Sequence, residues 1–171
     1  MEKIEALAQY LGIDVDEIEE SGNNEFETPE GDYTVLTADE ADEWSRDEEE
    51  MLFYDMGLDA FSPNFQDWIL SNAIDEDSVN DIVDSDLAYF RDQEEDEDMV
   101  SYLESLDTFD DKLNYIKDLY GDGFNDWAKD NIDFDTVYDE VILWDGRGPL
   151  LAAWDGEEIE LPGGLYAYRQ N

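Results

Sequence analysis

Charge constrains this chain before any pattern does: 51 Asp and Glu stand against 8 Lys and Arg, with no His, for a formal charge of -43 over 171 residues. A compact chain of this length has a radius of gyration of roughly 15 Å and a diameter of about 40 Å. The same length of duplex DNA carries about 24 phosphate charges. The chain exceeds that density, so self-repulsion opposes any compact state, and a fold requires nearly every acid to face water. The apolar material for a core is present. Its 10 Ile, 16 Leu, 7 Val and 8 Phe exceed the roughly one-fifth share below which such charge leaves a chain disordered, and 13% of the residues are aromatic. Length favours a single domain over 1–171.

Apolar residues recur mainly at helical spacing. Ile4, Leu7, Ala8 and Leu11 form a stripe that Gly12 stops. Asp14 and Glu17 make a capping-box start for a second short helix, and Thr37 with Glu40 makes another for an acidic helix reaching about Tyr54. Its expected inner face is Ala41, Trp44, Met51 and Leu52. Residues 21–31 read as a loop, and Tyr33 to Leu36 as a short β-prone run. Further stripes begin after Pro63, Ser78 and Thr108, with another over Met99 to Leu106; Gly121 and Gly123 end the helix that Thr108 starts. From Val141 the texture changes: Val141 to Trp144, Leu150 to Leu161 and Leu165 to Asn171 read as strands separated by turns, with Asp155-Gly156 as the strongest hairpin signal. The expected class is α+β: mostly short amphipathic helices with a small C-terminal antiparallel β-sheet, to which residues 33–36 could add a strand. The organisation expected within the one domain is an N-terminal helical part (1–55), a helical middle (56–140) and a β-hairpin region (141–171).

The middle contains an internal similarity. Phe65, Asp67, Trp68 and Asn72 are matched at identical spacing by Phe124, Asp126, Trp127 and Asn131. One residue out of step, Ile74, Asp75, Asp77 and Val79 are matched by Ile132, Asp133, Asp135 and Val137. Two copies of a helix-turn-helix unit would present two similar acidic faces, which suits a partner with repeated basic grooves.

Zero Cys and zero His remove disulfides, thiolate nucleophiles, Cys/His zinc sites, imidazole bases and the Ser-His-Asp triad. No metal site is expected. With Gly123 at the sixth position of a calcium loop, Asp118 falls first, but Tyr120 falls third and Lys129 twelfth, where ligands are needed. No catalytic residue stands out, because carboxylates are everywhere and a nuclease must attract a polyanion that this surface repels. No cofactor is expected, since DGRGP and PGG fit turns and no Gly-rich phosphate loop is present. The start MEKIEALAQYLG is amphipathic, and no apolar run approaches the ~18 residues of a membrane span, so the expectation is a soluble, cytoplasmic protein. High-salt adaptation explains an acid excess, but 16 Leu and 10 Ile against 11 Ala and 7 Val make an ordinary-salt core.

What remains is the charge itself. Asp92, Glu94, Glu95, Asp96, Glu97 and Asp98 fill six of seven consecutive positions. On one helix at ~1.5 Å per residue they would place a charge every ~1.75 Å, close to the linear density of duplex DNA. Asp47, Glu48, Glu49 and Glu50 form a second run. Small, His- and Cys-free, aromatic-rich, helical and extremely acidic, the chain resembles the DNA-mimicking anti-restriction and anti-CRISPR proteins of phages and mobile elements. Its Tyr33–Glu43, Asp145–Gly148, Trp154–Glu158 and Tyr166–Asn171 segments also resemble phage-encoded proteins in texture. The resemblance implies an inhibitor whose partner is a basic nucleic-acid-binding protein, such as a host defence nuclease or CRISPR effector. Contact with nucleic acid or membrane is not implied. The two acidic runs are the expected partner-binding residues, with Trp44, Trp68, Trp127 and the C-terminal aromatics holding the core. The alternative is an acidic structural or solubilising interaction protein, or a high-salt-adapted protein, without a nucleic-acid-binding target.

Overall fold

A computed structural model describes residues 1–93 and 96–171. The fold is α+β, and the chain divides into two compact units, residues 1–52 with 138–171 and residues 53–137. It passes from the first unit to the second within α2 (Ala38–Met56) and returns within α8 (Phe134–Asp145).

The first unit is built on a five-stranded antiparallel sheet. Its strands are β1 (Glu19–Gly22), β2 (Glu25–Thr28), β3 (Gly31–Thr37), β4 (Ile159–Leu161) and β5 (Leu165–Arg169), in the order β1-β2-β3-β5-β4. The two chain ends therefore meet where β3 pairs with β5, Val35 opposite Ala167. Alternation along the strands gives the sheet two apolar faces. Phe26, Tyr33, Val35 and Ala167 pack against Ala6, Leu7 and Ala8 of α1 (Lys3–Leu11). On the other face Leu36 and Tyr168 pack against Ala41 of α2 and Ala152, just beyond the short α9 (Gly148–Leu151). Gly12 ends α1 in the left-handed region at φ 70°. Gly148 permits a close approach of backbones: a Cβ there would lie 2.2 Å from the Gly156 carbonyl oxygen.

The second unit is helical: α3 (Pro63–Asn72), α4 (Glu76–Asp92), α5 (Glu97–Glu104), α6 (Phe109–Tyr120) and α7 (Phe124–Asp130), with the first residues of α8. Val79, Val83, Leu103, Leu113, Ile116 and Ala128 are among its buried residues, and the Phe53 ring packs beside Phe61 and Phe134. The internal similarity has a structural counterpart. Ile74 and Ile132 form an antiparallel bridge; the Asp75 amide donates to the Asn131 carbonyl and the Asp133 amide to the Ala73 carbonyl, both at 2.8 Å. Asn72 and Asn131 each donate a side-chain hydrogen bond to the carbonyl of their own Trp, Trp68 and Trp127. Asp75 and Asp133 each accept from the amide two residues on and from the hydroxyl three residues on. The two turns are thus related by a local twofold, and each supplies the other's backbone partners.

Several expectations are corrected. Residues 21–31 are not a loop: β1 and β2 form a hairpin turning at Asn23-Asn24, where Asn24 has φ 75°, a conformation Asn tolerates better than most residues. Acids alternating with the single buried Phe26 concealed β2. Val141 to Trp144 continue α8 instead of forming a strand; helix growth from the Asp133 turn prevails over the weak β preference of a run without alternation. Leu150 to Leu161 is not strand on both sides of Asp155-Gly156: Leu150 and Leu151 end α9, and only Ile159–Leu161 is extended. Asp155-Gly156 is a turn after α9, and the C-terminal hairpin turns instead at Pro162-Gly163-Gly164. The inner stripe of α2 is Ala41, Ser45, Glu49 and Phe53, each four residues from the last. Trp44, Met51 and Leu52 are exposed. Among the described residues no helix is long and apolar enough to cross a membrane.

A candidate polyanionic surface

Every one of the eight basic side chains is engaged within its own unit. Lys3 donates to Asn24 at 2.6 Å and Glu40 at 2.5 Å, Arg91 to Glu104 at 2.7 Å, and Lys112 to Asn80 at 2.8 Å. Lys129 donates to the Tyr54 carbonyl and pairs with Asp126. Arg46 and Lys117 lie over the rings of Tyr138 and Phe124, and Arg169 over that of Trp154 while donating to two carbonyls. Arg147 is the most constrained. Its guanidinium forks onto Glu158 at 2.7 and 2.9 Å, donates to Asp42 at 2.8 Å, and stacks on Tyr166 at 4.5 Å from the ring centre. Its hydrogen bonds to Glu158 raise its pKa further, against the effect of burial. Burial pushes the Glu158 carboxyl up, but hydrogen bonds from Arg147 and Tyr168 and the charge of Arg147 outweigh it, so the pKa is held below the ordinary value. With the cations turned to internal work, the outward charge is carried by carboxylates.

Those carboxylates are solvent-facing almost throughout: among the described residues Glu49 is the only buried acid. Asp47 and Glu48 are exposed on α2, and Glu50 is half-buried. Glu49 corrects the expectation of a four-residue surface run. At 4% exposure it sits on the inner stripe of α2, where burial and then the nearby Asp145 push its carboxyl pKa up. Four consecutive helical residues sweep about 300°, so one of them had to point inward.

The second run is not one continuous helix face either. Asp92 is the last residue of α4, Asp96 precedes α5, and Glu97 and Asp98 form its first turn; Glu94 and Glu95 lie outside the described residues. Asp92, Asp96, Glu97 and Asp98 are all exposed. The uniform spacing along one helix axis therefore does not hold here. Acids in the first turn of a helix also complement its dipole, which explains Glu97 and Asp98 locally. Asp96 and Glu97 border a shallow hollow with Phe90 and Arg91, so one cation sits beside this run. The two runs belong to different units, 47–50 to the first and 92–98 to the second.

The aromatics divide between core and surface. Tyr168 is fully buried, and its hydroxyl donates to Glu158 at 2.5 Å. Trp68 stacks on Phe65, and Trp127 on Phe124 and Tyr120, each half-buried. Trp44, expected in the core, is exposed, as are Trp144 and Trp154. Among the described residues no group of three or more carboxylates is arranged to hold a metal ion. Sequence reading did not single out Glu25 and Glu27, two exposed acids on one face of β2. The period-two pattern Glu25-Phe26-Glu27 before the Pro29-Glu30 turn was the available signal. No family model matches the chain, and neither the curated proteins nor the solved structures give a significant match.

Proposed function

We propose that the chain is a DNA mimic that inhibits a host defence enzyme, of the restriction or CRISPR-effector kind, by occupying its nucleic-acid-binding site. One observation carries the reading: all eight cations are engaged internally while a single described acid is buried, so the surface is a dense, nearly unrelieved field of carboxylates. A groove built to grip phosphates through Lys and Arg is attracted to such a field over a Debye length of about 8–10 Å. The mechanism is electrostatic and steric competition with no chemical turnover. It works in the cytoplasm, where such enzymes meet DNA.

Competition is the direct test. Purified restriction enzymes and CRISPR effectors are loaded with fluorescent duplex, and the chain is titrated in at ~0.05 and ~0.3 M salt. The expected outcome is displacement of duplex from at least one enzyme, competitive with DNA and much weaker at the higher salt. Simultaneous binding of duplex and chain to every enzyme it engages, or failure to engage any of them, overturns the reading.

A further inference from the structure

In the first unit, α2 and α9 cover the second face of the sheet over β3 and β5 but leave it open over β2. The result is a cleft of about 520 Å³. Glu25, Glu27 and Asp32 line it from the sheet, Trp44 and Glu48 from α2, and Leu150 and Leu151 from α9. The register explains the grouping: Glu25 pairs with Thr34 and Glu27 with Asp32, so the acids of both strands project from one face. Trp44 and Glu48 are four residues apart and share a face of α2. None of the described residues that line the cleft is basic.

Two features distinguish this cleft from acidic surface elsewhere. First, Glu27 and Asp32 are like charges directly opposite one another, a destabilising cross-strand pair. Asn171 donates to Asp32, but Glu25, Glu27 and Glu48 have neither a hydrogen-bond donor nor an ion-pair partner among the described residues. Second, among the described residues Trp44 is the one tryptophan without a ring, cation or hydrogen-bond partner. Trp68 and Trp127 stack on neighbouring rings, Trp144 donates to Glu140, and Trp154 carries Arg169. Arg147 shows within the same unit what such surroundings hold, since its guanidinium lies on an aromatic ring with two carboxylates at its edges.

We propose that the cleft lined by Trp44, Glu48, Glu25 and Glu27 receives an arginine side chain of the partner protein, its guanidinium against the indole and its edges toward the carboxylates. The proposal rests on the DNA-mimic reading for its partner and deepens it, adding an aromatic anchor to a field of charge. Arginine fits better than lysine, because a planar, weakly hydrated cation stacks on a ring and reaches two carboxylates at once. A metal ion fits poorly, because these carboxylates do not converge as a ligand set.

The test uses the full chain and a small probe. N-acetyl-arginine amide is titrated against the isotope-labelled chain at constant ionic strength, following the Trp44 indole N–H, which Trp44→Phe assigns. The expected result is a saturable shift with a dissociation constant on the order of 10 mM. N-acetyl-lysine amide should bind several-fold more weakly, and Glu48→Gln should abolish saturation with an unchanged circular dichroism spectrum. No saturation at Trp44, equal shifts from both amides, or undiminished binding to Glu48→Gln overturns the proposal. Displacement of DNA separates it from the broader reading. If the parent displaces duplex and both Trp44→Phe and Glu48→Gln do so equally well, the cleft proposal falls and the mimic stands. If the arginine probe binds as expected and no enzyme is displaced from DNA, the mimic falls with the partner it supplies, and the cleft's preference for arginine stands.

Discussion

Glu49, buried, and Glu158, its side chain half-buried, show two outcomes for a carboxylate drawn out of water. Glu158 keeps its charge because Arg147 and Tyr168 bind it, and its pKa is lowered. The stability it contributes is present above the ordinary glutamate value of 4.5 and is lost as pH falls through the lowered one. Glu49 has no such donor among the described residues, and its pKa is raised by burial and by Asp145. Its sign is opposite: stability is present below the ordinary value and is lost as pH rises through the raised one. Glu49→Gln is therefore expected to raise the thermal midpoint at pH 7 by roughly 2–4 °C, the response of a chain this size to about 1 kcal/mol. The gain should shrink toward zero as pH is lowered below the ordinary value. Thermal melts across pH check this, with the adjacent exposed Asp47→Asn as a control for general relief of repulsion. Equal gains from both substitutions at every pH would show that burial of Glu49 is not the cause.

At the level of elements, the paired turns α3–α4 and α7–α8 make a comparison the chain itself supplies. Asp75 and Asp133 make the same two side-chain hydrogen bonds, at 3.1 and 2.6 Å in one turn and 3.2 and 2.7 Å in the other. Loss of such a cap costs about 1 kcal/mol. Asp75→Ala and Asp133→Ala are expected to lower stability by similar amounts of that order in urea unfolding, with Asp75→Asn close to the parent because Asn also caps. A cost several-fold larger at one turn than at the other would break the equivalence. The capping boxes at Glu2/Glu5, Asp14/Glu17 and Thr37/Glu40 have the same local logic. The latter two were legible from spacing alone, whereas α4 starts at Asp75 and not at Ser78 as its apolar stripe implied.

At the scale of the whole molecule, a net charge of -43 acts against a core that includes fully buried Leu7, Leu36, Phe53, Ile69, Ile116 and Tyr168. Burying a large apolar side chain contributes about 1.5–3 kcal/mol, and such a core does not depend on salt for its existence. Repulsion among exposed acids does depend on salt, because it is screened. The chain is expected to melt cooperatively at ~0.02 M salt and at a higher midpoint by ~0.5 M. Calorimetry with chloride salts of sodium and tetramethylammonium separates screening from specific cation binding: the two series should superimpose. A random-coil spectrum at ~0.1 M salt, folding only at molar concentrations, would instead identify a chain adapted to high salt.

The positions of most helices, the cap at Thr37 and the pairing of residues 33–36 into a sheet were readable in the chain, because apolar spacing and caps act over three or four residues. The repeat over 65–79 and 124–137 was readable too, as identities at matched spacing. Strand partnership was not: β2 buries one side chain, Phe26, and becomes a strand only when β1 and β3 satisfy its backbone. Nor could spacing say which acid of Asp47 to Glu50 turns inward, since the inner stripe of α2 is set by what packs against Ala41 and Ser45. The cleft beside Trp44 joins residues more than a hundred positions apart, Glu25 and Gln170 among them. Composition determines that the molecule is a polyanion, because charge is a sum over residues. Where that charge is concave, aromatic and unpartnered depends on long-range packing, so only the tertiary structure decides it.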